Sequence, residues 1–325
     1  MTEAGSAFCH DPVLIDEVIG ALQPHDGGAY IDGTLGGGGY TRAILNTADC
    51  RVWAIDRDPD TIRNAGTLVE EYAGRLKVIQ GRFGDMVAIL RDNGVTSVDG
   101  IALDLGVSSM QLDDAGRGFS FRFDGPLDMR QEKDGPSAAD LVNEAEESVL
   151  ADIIYRYGEE RQARRIARAI VAARAEAPLS HTTQLANIVR GSYRGGRRAK
   201  TDPATKTFQA IRIHVNDELG ELRRGLSEAE ILLAPGGRLA VVSFHSLEDR
   251  IAKEFLRSRA ENRPAVSRHL PAADISSTKP TFRLTRRGAT KPTSEEKERN
   301  HRSRSARLRV AERTSAPANS LTEGG

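Results

Sequence analysis

The chain has 325 residues, of which 39% are hydrophobic, 28% charged and 5% aromatic, a composition typical of a water-soluble protein large enough for two domains. Two cysteines are too few for a disulfide framework, no apolar run reaches the roughly 20 residues that span a bilayer, and residues 1–10 lack an export signal, so we expect a cytoplasmic protein. The 46 basic and 46 acidic residues cancel, but residues 1–155 carry a net charge of −15 and residues 156–325 carry +15. The basic half predicts a polyanionic partner.

Residues 13–105 alternate between short apolar segments and segments of helical periodicity. Apolar segments that end in polar or glycine-rich turns predict strands at 29–31, 52–55, 76–79 and 101–105. Helical spacing predicts helices at 13–22, 40–45, 59–72 and 85–93. Because strands that alternate with helices pair in parallel, this pattern indicates a parallel α/β sheet.

A different pattern begins near residue 113, where Gly- and Asp-rich turns give way to helical stretches at 146–157 and 159–175. A helix predicted at 208–233 then leads to a fifth strand at 238–243, and 281–285 predicts a late strand. We therefore predict an α/β domain in two parts, 1–112 and 207–313, that encloses a helical domain at 113–206. A disordered tail is expected at 314–325.

The run from Asp32 to Gly39, Asp-Gly-Thr-Leu-Gly-Gly-Gly-Gly, places an acid at the end of the first predicted strand and a glycine-rich turn before a helix. Such a turn lets a nucleotide cofactor touch the backbone and the helix N-terminal amides, and Gly36 lies at its centre. The spacing disfavours a nicotinamide dehydrogenase, because Thr41 or Arg42 stands where the dinucleotide fingerprint needs its third glycine. No Walker-type Gly-Lys-Ser/Thr follows.

The next strand ends favour a particular cofactor. Asp56 ends the second strand, where a carboxylate accepts hydrogen bonds from ribose hydroxyls. An acid, a glycine run and a second acid are the arrangement of S-adenosylmethionine methyltransferases. Phe83 follows the third strand, where it contacts the adenine or belongs to the core; Asp104 ends the fourth strand, where it meets the methyl acceptor or forms a turn.

The fifth strand brings a second set of polar side chains to the same edge. Ser243 and His245 stand at its end, and we predict that they act with Asp104 in catalysis. A structural role for His245 stays open as the alternative. No metal-ligand spacing is present, and neither Cys9 nor Cys50 stands at a strand end, which excludes the thiolate that methylation of a pyrimidine at C5 requires.

A series of ordered blocks closely resembles the RsmH/MraW family of ribosomal RNA small-subunit methyltransferases over nearly the whole chain. They are Asp32–Gly39, Ala54–Pro59, Asp104–Asp114, Arg117–Phe121, Gly125–Arg130, Gly158–Arg161, Thr207–Arg212 and Ser243–Arg250. The resemblance implies a class I, Rossmann-like α/β methyltransferase sheet with an inserted α-helical domain. It also implies S-adenosylmethionine-dependent N4-methylation of one cytidine, customary position 1402, in 16S rRNA at the decoding centre. The implied partner is this rRNA within the small ribosomal subunit or a late assembly intermediate.

Carried over by position, the resemblance implies cofactor contacts at Gly38, Gly39, Tyr40, Asp56, Phe83, Asp104 and Gln111. Many members of the family have histidine where this chain has Tyr40, so we assign any contact there to the backbone. The stacking platform for the target base is expected from Phe244 or from an aromatic side chain within residues 119–123. We expect Asp104 or a neighbouring carbonyl to accept a hydrogen from the cytidine amine.

Two basic segments are predicted to contact RNA phosphates. Residues 156–214 hold 13 basic and 4 acidic residues, and residues 286–313 hold 10 and 4. The first segment supplies the predicted RNA-binding residues Arg161, Arg164, Arg165, Arg197, Arg198 and Lys200. A merely solvated helix face is the alternative for Arg161, Arg164, Arg165 and Arg168, which share one predicted helix.

Two other functions remain open at this stage: methylation of a protein or small molecule, and a ribosome-assembly factor that keeps the cofactor pocket without activity. The sequence does not fix the oligomeric state, and a homodimer is compatible with it.

Overall fold

The computed structural model describes residues 12–193, 202–260 and 279–318. Within them one seven-stranded sheet has the order β3-β2-β1-β4-β5-β7-β6. Its strands are β1 Ala29–Asp32, β2 Arg51–Asp56, β3 Leu76–Gln80, β4 Val98–Asp104, β5 Leu233–Ser243, β6 Phe282–Leu284 and β7 Arg307–Arg313. The pairings among β1 to β5 are parallel, whereas β7 pairs antiparallel with β5 and with β6. This confirms the predicted Rossmann-like α/β sheet.

The helices flank the strands and fill the segment between β4 and β5. They are α1 Ile15–Leu22, α2 Gly39–Thr47, α3 Pro59–Asn64, α4 Gly66–Glu71, α5 Met86–Asp92, α6 Ser109–Asp113, α7 Ala138–Glu144, α8 Glu147–Gly158, α9 Ala163–Glu176, α10 Thr182–Gly191, α11 Ala204–Val215, α12 Glu218–Leu232, α13 Ser246–Ala260 and α14 Ser294–Arg299. None of the helices in the described ranges is long and apolar enough to cross a membrane.

The chain forms two compact units: residues 1–106 with 219–325, here called the sheet unit, and residues 107–218, here called the helical unit. The predicted boundaries at 113 and 206 both fall inside the helical unit. The helical unit ends at 218 rather than at the predicted 206 because α11 packs on α8, and because Phe208 and Ile211 belong to the helical unit's own core.

The sheet unit has a buried apolar layer on each face of its sheet. On β4 and β5, Ala102 and Val242 contribute to one layer, whereas Leu103 and Val241 contribute to the other. Burial on both faces explains why these strands are continuous apolar runs rather than alternating ones.

Three predictions need correction. The single helix expected at 208–233 is two helices, α11 and α12, because the chain breaks at Asn216 and at Asp217, whose φ of 46° is left-handed. The strand β7 was missed, since its arginines were interpreted only as an RNA-binding segment. The disorder expected from residue 314 is wrong for 314–318, which the structure describes: Thr314 donates its backbone N–H to the Thr281 carbonyl. The rest of the expected tail, 319–325, lies outside the described residues.

Candidate functional site

The glycine-rich turn after β1 is held in shape by backbone conformation and close contact. Gly36 and Gly38 have φ values of 49° and 76°, in the left-handed region that favours glycine. A methyl group added at Gly39 would lie 2.1 Å from Cγ of Pro12, so no larger residue fits. One added at Gly37 would meet nothing within 4 Å, which leaves that part of the turn open to a ligand.

The Asp32 side chain holds this turn in shape through hydrogen bonds. Its carboxylate is buried and accepts from the backbone N–H of Thr34 at 3.2 Å, the backbone N–H of Thr41 at 3.1 Å and the Thr41 hydroxyl at 2.7 Å. Burial raises the pKa of Asp32, and these three hydrogen bonds oppose the rise. The predicted cofactor residue therefore fixes the shape of the turn, and its two threonine partners are residues that the sequence reasoning missed.

Asp56 at the end of β2 meets the same turn. Its Oδ2 accepts from the Gly36 backbone N–H at 2.8 Å, and its Oδ1 accepts from the backbone N–H of Asp58 at 2.9 Å. Burial raises the pKa of Asp56 to about 6, with the carboxylates of Asp58 and Asp32 adding to the rise. Asp56 thus lies against the glycine turn, with one backbone hydrogen bond at each carboxylate oxygen.

Phe83 lies in the loop after β3 and packs against α12. A methyl group added at Gly225 would come within 2.3 Å of its ring, which shows how closely the ring covers that glycine. The Phe83 ring is half-buried against the core layer that contains Met86 and Leu222. The neighbouring Arg57–Glu221 ion pair, with N and O 2.6 Å apart, ties the end of β2 to the same helix.

Asp104 ends β4, the strand next to β1. Its backbone N–H donates to the Thr34 hydroxyl at 2.7 Å, so Thr34 links the ends of the two strands. Its side-chain Oδ1 is buried and has no hydrogen-bond partner among the described residues. Burial raises the pKa of Asp104 well above its usual range, and the carboxylates of Asp32 and Glu248 raise it further. A cationic or hydrogen-donating ligand group is the partner that such an oxygen lacks.

Ser243 and His245, predicted to act in catalysis, both have structural partners. The buried Ser243 hydroxyl donates to the Arg307 carbonyl of β7 at 3.3 Å. His245 caps α13: its Nδ1 accepts from the Glu248 backbone N–H at 3.4 Å, and Glu248 Oε2 accepts from the backbone N–H of His245 at 3.2 Å and of Phe244 at 2.8 Å. This is the reciprocal pattern of a capping box, and the spacing of His245 and Glu248 is the signal that predicts it.

Tyr40 and Gln111 also have roles in the fold. Tyr40 is buried in the core, and its hydroxyl donates to the Val13 carbonyl, which leaves only its backbone for a ligand at the turn. Gln111 belongs to the helical unit, where its side chain accepts from the Ser108 backbone N–H at 3.0 Å and completes the capping box of α6.

The basic residues divide into exposed and structural sets. Arg161, Arg164 and Arg165 are exposed, although Arg161 precedes α9 rather than lying on it as predicted. Three predicted RNA-binding residues, Arg197, Arg198 and Lys200, lie outside the described residues.

In the second segment the arginines of β7 are structural. Arg307 and Arg309 pair with Asp249 at 2.6 and 2.7 Å, and the buried Arg313 donates to the backbone carbonyls of Glu230 and Thr281. The basic surface available there is therefore smaller than the composition indicates.

Comparison with known proteins gives consistent matches. The sequence profile of the MraW methylase family matches residues 7–314. The chain is 60% identical over 312 residues to "Ribosomal RNA small subunit methyltransferase H" of Rhodospirillum centenum, a match that covers 96% of this chain and 94% of that protein. It is 58% identical to the protein of the same name from Paramagnetospirillum magneticum, over 95% of this chain and 97% of that one.

Proposed function

Because the chain belongs to the MraW methylase family, we propose that it transfers a methyl group from S-adenosylmethionine to N4 of one cytidine in 16S rRNA, at the decoding centre of the small ribosomal subunit. Its relatives carry a name that states action on small-subunit ribosomal RNA. We place the reaction in the cytoplasm, where an assembled subunit or a late intermediate would be the substrate. The position of the cytidine and the atom methylated rest on the family resemblance of the sequence blocks.

The observation that carries the proposal is the buried, unpartnered Oδ1 of Asp104 beside the glycine turn. Asp56 and the backbone at 36–39 suit a ribose and the polar end of a nucleoside cofactor. S-adenosylmethionine, when bound, supplies an electrophilic methyl carbon on a positively charged sulfur. A positive charge at the strand ends stabilises the ionised form of Asp104, whose pKa burial otherwise raises.

We assign to Asp104 the proton transfer that follows methylation. The cytidine amine is a weak nucleophile because its lone pair is delocalised into the ring. The ionised Asp104 carboxylate accepts a hydrogen bond from this amine, holds it in line for attack and takes the proton that the methylated nitrogen must lose. His245 and Ser243 support the end of β5 through their hydrogen bonds to Glu248 and Arg307.

The exposed arginines of the helical unit support an RNA substrate. Arg164 and Arg165 are exposed on α9, so their charges are available to phosphates. The buried residues of α9, Ile166, Ala167 and Ile170, hold the opposite face of the helix in the core.

The test is transfer of labelled methyl from S-adenosylmethionine to small ribosomal subunits isolated from a strain that lacks the modification, followed by nucleoside mass spectrometry. N4-methylcytidine at one position supports the proposal. Label in a protein or in no macromolecule, despite measured cofactor binding, would replace it with one of the alternative substrates.

A further inference from the structure

Phe123 is the most exposed large hydrophobic side chain of the described residues, with 66% of its surface accessible. It lies in the loop between α6 and α7 of the helical unit. We propose that Phe123 is the platform on which an unpaired base of the RNA substrate stacks. This inference rests on the proposed function and adds the residue that receives the base.

Hydrogen bonds hold the backbone around Phe123 in one conformation, so the exposed ring has a defined position. The Thr182 hydroxyl donates to the Phe123 carbonyl at 3.3 Å and accepts from the Gly125 backbone N–H at 3.2 Å. The Asp124 carboxylate accepts from the backbone N–H of Thr183 at 3.2 Å and from its hydroxyl at 2.6 Å. A rigid loop lowers the entropy cost of binding a base.

Close packing also holds the loop residues that follow Phe123. A methyl group added at Gly125 would lie 1.9 Å from the Ala115 carbonyl oxygen, so the two backbones are in contact there. Pro126 also forms a bridge with His181 at the start of α10. Residues 124–126 after Phe123 are thus held to the helical unit and Phe121 before it packs on Phe208, so the exposure of Phe123 belongs to the folded state.

The other aromatic side chains that the sequence offers for stacking are occupied. Phe119 is buried, and the Arg117 guanidinium lies 5.6 Å from its ring centroid. Phe121 packs edge-on against Phe208, with ring centroids 4.8 Å apart, and a guanidinium group lies over the Phe121 ring. Phe244, in the sheet unit, is partly buried against the core.

The surroundings of Phe123 favour a nucleic acid over an apolar protein partner. Arg122 beside it is exposed and supplies a positive charge for a phosphate, while the Asp124 carboxylate accepts two hydrogen bonds from Thr183. Tyr155, exposed to 63%, offers a contrast: the positive charge beside it, on Arg156, lies 3.8 Å from the Asp152 carboxylate, which competes with a phosphate for it.

The first experiment measures methyl transfer to small subunits by variants at this position. We expect Phe123→Ala and Phe123→Leu to raise KM for the RNA substrate by about 5- to 150-fold, the effect that removing a stacked base–aromatic pair produces. Phe123→Tyr keeps KM near wild type, and the affinity for S-adenosylmethionine stays the same in all three. Tyr155→Ala is the matched control and leaves KM unchanged.

A second readout does not depend on catalysis. The chain has one tryptophan, Trp53 in β2, so Phe123→Trp adds a reporter whose emission is measured against the wild-type protein. A short single-stranded RNA of the target sequence should quench this emission, and the same strand in a duplex should not. Equal quenching by both RNAs, no quenching, or a Phe123→Leu variant with wild-type KM would overturn the inference. Failure of the proposed function looks different, since the wild type itself would then methylate no RNA.

Discussion

Gly225→Ala tests whether α12 sets the position of Phe83, the side chain expected to contact the adenine of the cofactor. The added methyl group would lie 2.3 and 2.5 Å from ring carbons of Phe83 and 3.5 Å from its carbonyl oxygen. Carbon atoms do not approach this closely, so the ring must move away from α12. Gly20→Ala in α1 is the matched control, because a methyl group there meets nothing within 4 Å.

The expected free energies follow from two opposing effects. Replacing a helical glycine by alanine stabilises a helix by about 0.5–1 kcal/mol, and this gain applies to both positions. Overpacking of a close contact costs about 1–3 kcal/mol and applies only at Gly225. We therefore expect Gly20→Ala to raise the free energy of unfolding and Gly225→Ala to lower it or leave it unchanged, with the displaced ring also weakening S-adenosylmethionine binding.

The assay is urea denaturation of both variants together with calorimetric titration of S-adenosylmethionine. Adding Phe83→Leu to Gly225→Ala should recover much of the stability, because the smaller side chain relieves the overlap. If Gly225→Ala stabilises the protein as much as Gly20→Ala and binds the cofactor normally, the packing of Phe83 on α12 does not shape this site.

Three further predictions concern charge. Asp104→Asn keeps the size of the side chain but cannot take a proton, so we expect kcat to fall by about 10²–10⁴-fold; cofactor affinity should fall too, because the variant loses the negative charge that attracts the cationic sulfur, and an unchanged kcat would move the proton acceptor elsewhere. The pKa of Asp56 is about 6, and we expect its ionised form to accept the ribose hydroxyls of the cofactor. Cofactor affinity should therefore rise from pH 5 to pH 7 and level off above pH 7. Asp56→Asn should bind the cofactor weakly and show no such rise by calorimetry. Arg164→Gln with Arg165→Gln should make the salt dependence of RNA binding shallower by about 0.7–0.9 for each phosphate that the protein no longer neutralises, without changing cofactor affinity. The control Arg156→Gln, whose guanidinium lies 3.8 Å from a carboxylate, should change this slope less, and equal slopes in all proteins would exclude α9 from the RNA interface.

The sequence predicted the parallel strands well because each carries a local signal: an apolar run followed by a polar or glycine-rich end. It missed β7, where arginines alternate with apolar residues, because the carboxylate that pairs with Arg307 and Arg309 is Asp249, about sixty positions away along the chain. Such a long-range ion pair leaves no local pattern. The break between α11 and α12 was equally hidden, since a left-handed Asp217 is set by its surroundings.

The site shows the same division between local and distant causes. The acids at the ends of β1, β2 and β4 were found from their position after apolar runs, and the structure brings Asp32 and Asp56 to one glycine turn. The sequence did not show which hydrogen bonds each of these side chains forms. The partner of Ser243 lies on β7, the strand that was missed, so the hydrogen bond from its hydroxyl to the Arg307 carbonyl was not predicted.

The three strand-end carboxylates differ in how far the protein satisfies them, and this difference separates their tasks. Asp32 accepts three hydrogen bonds from the turn, and Asp56 accepts one backbone hydrogen bond at each oxygen. Asp104 alone of the three retains a buried oxygen without a partner in the described part of the chain. Since proteins rarely bury a polar atom unsatisfied, we propose that Asp32 builds the turn, that Asp56 is shared between turn and ligand, and that Asp104 is reserved for the reacting groups.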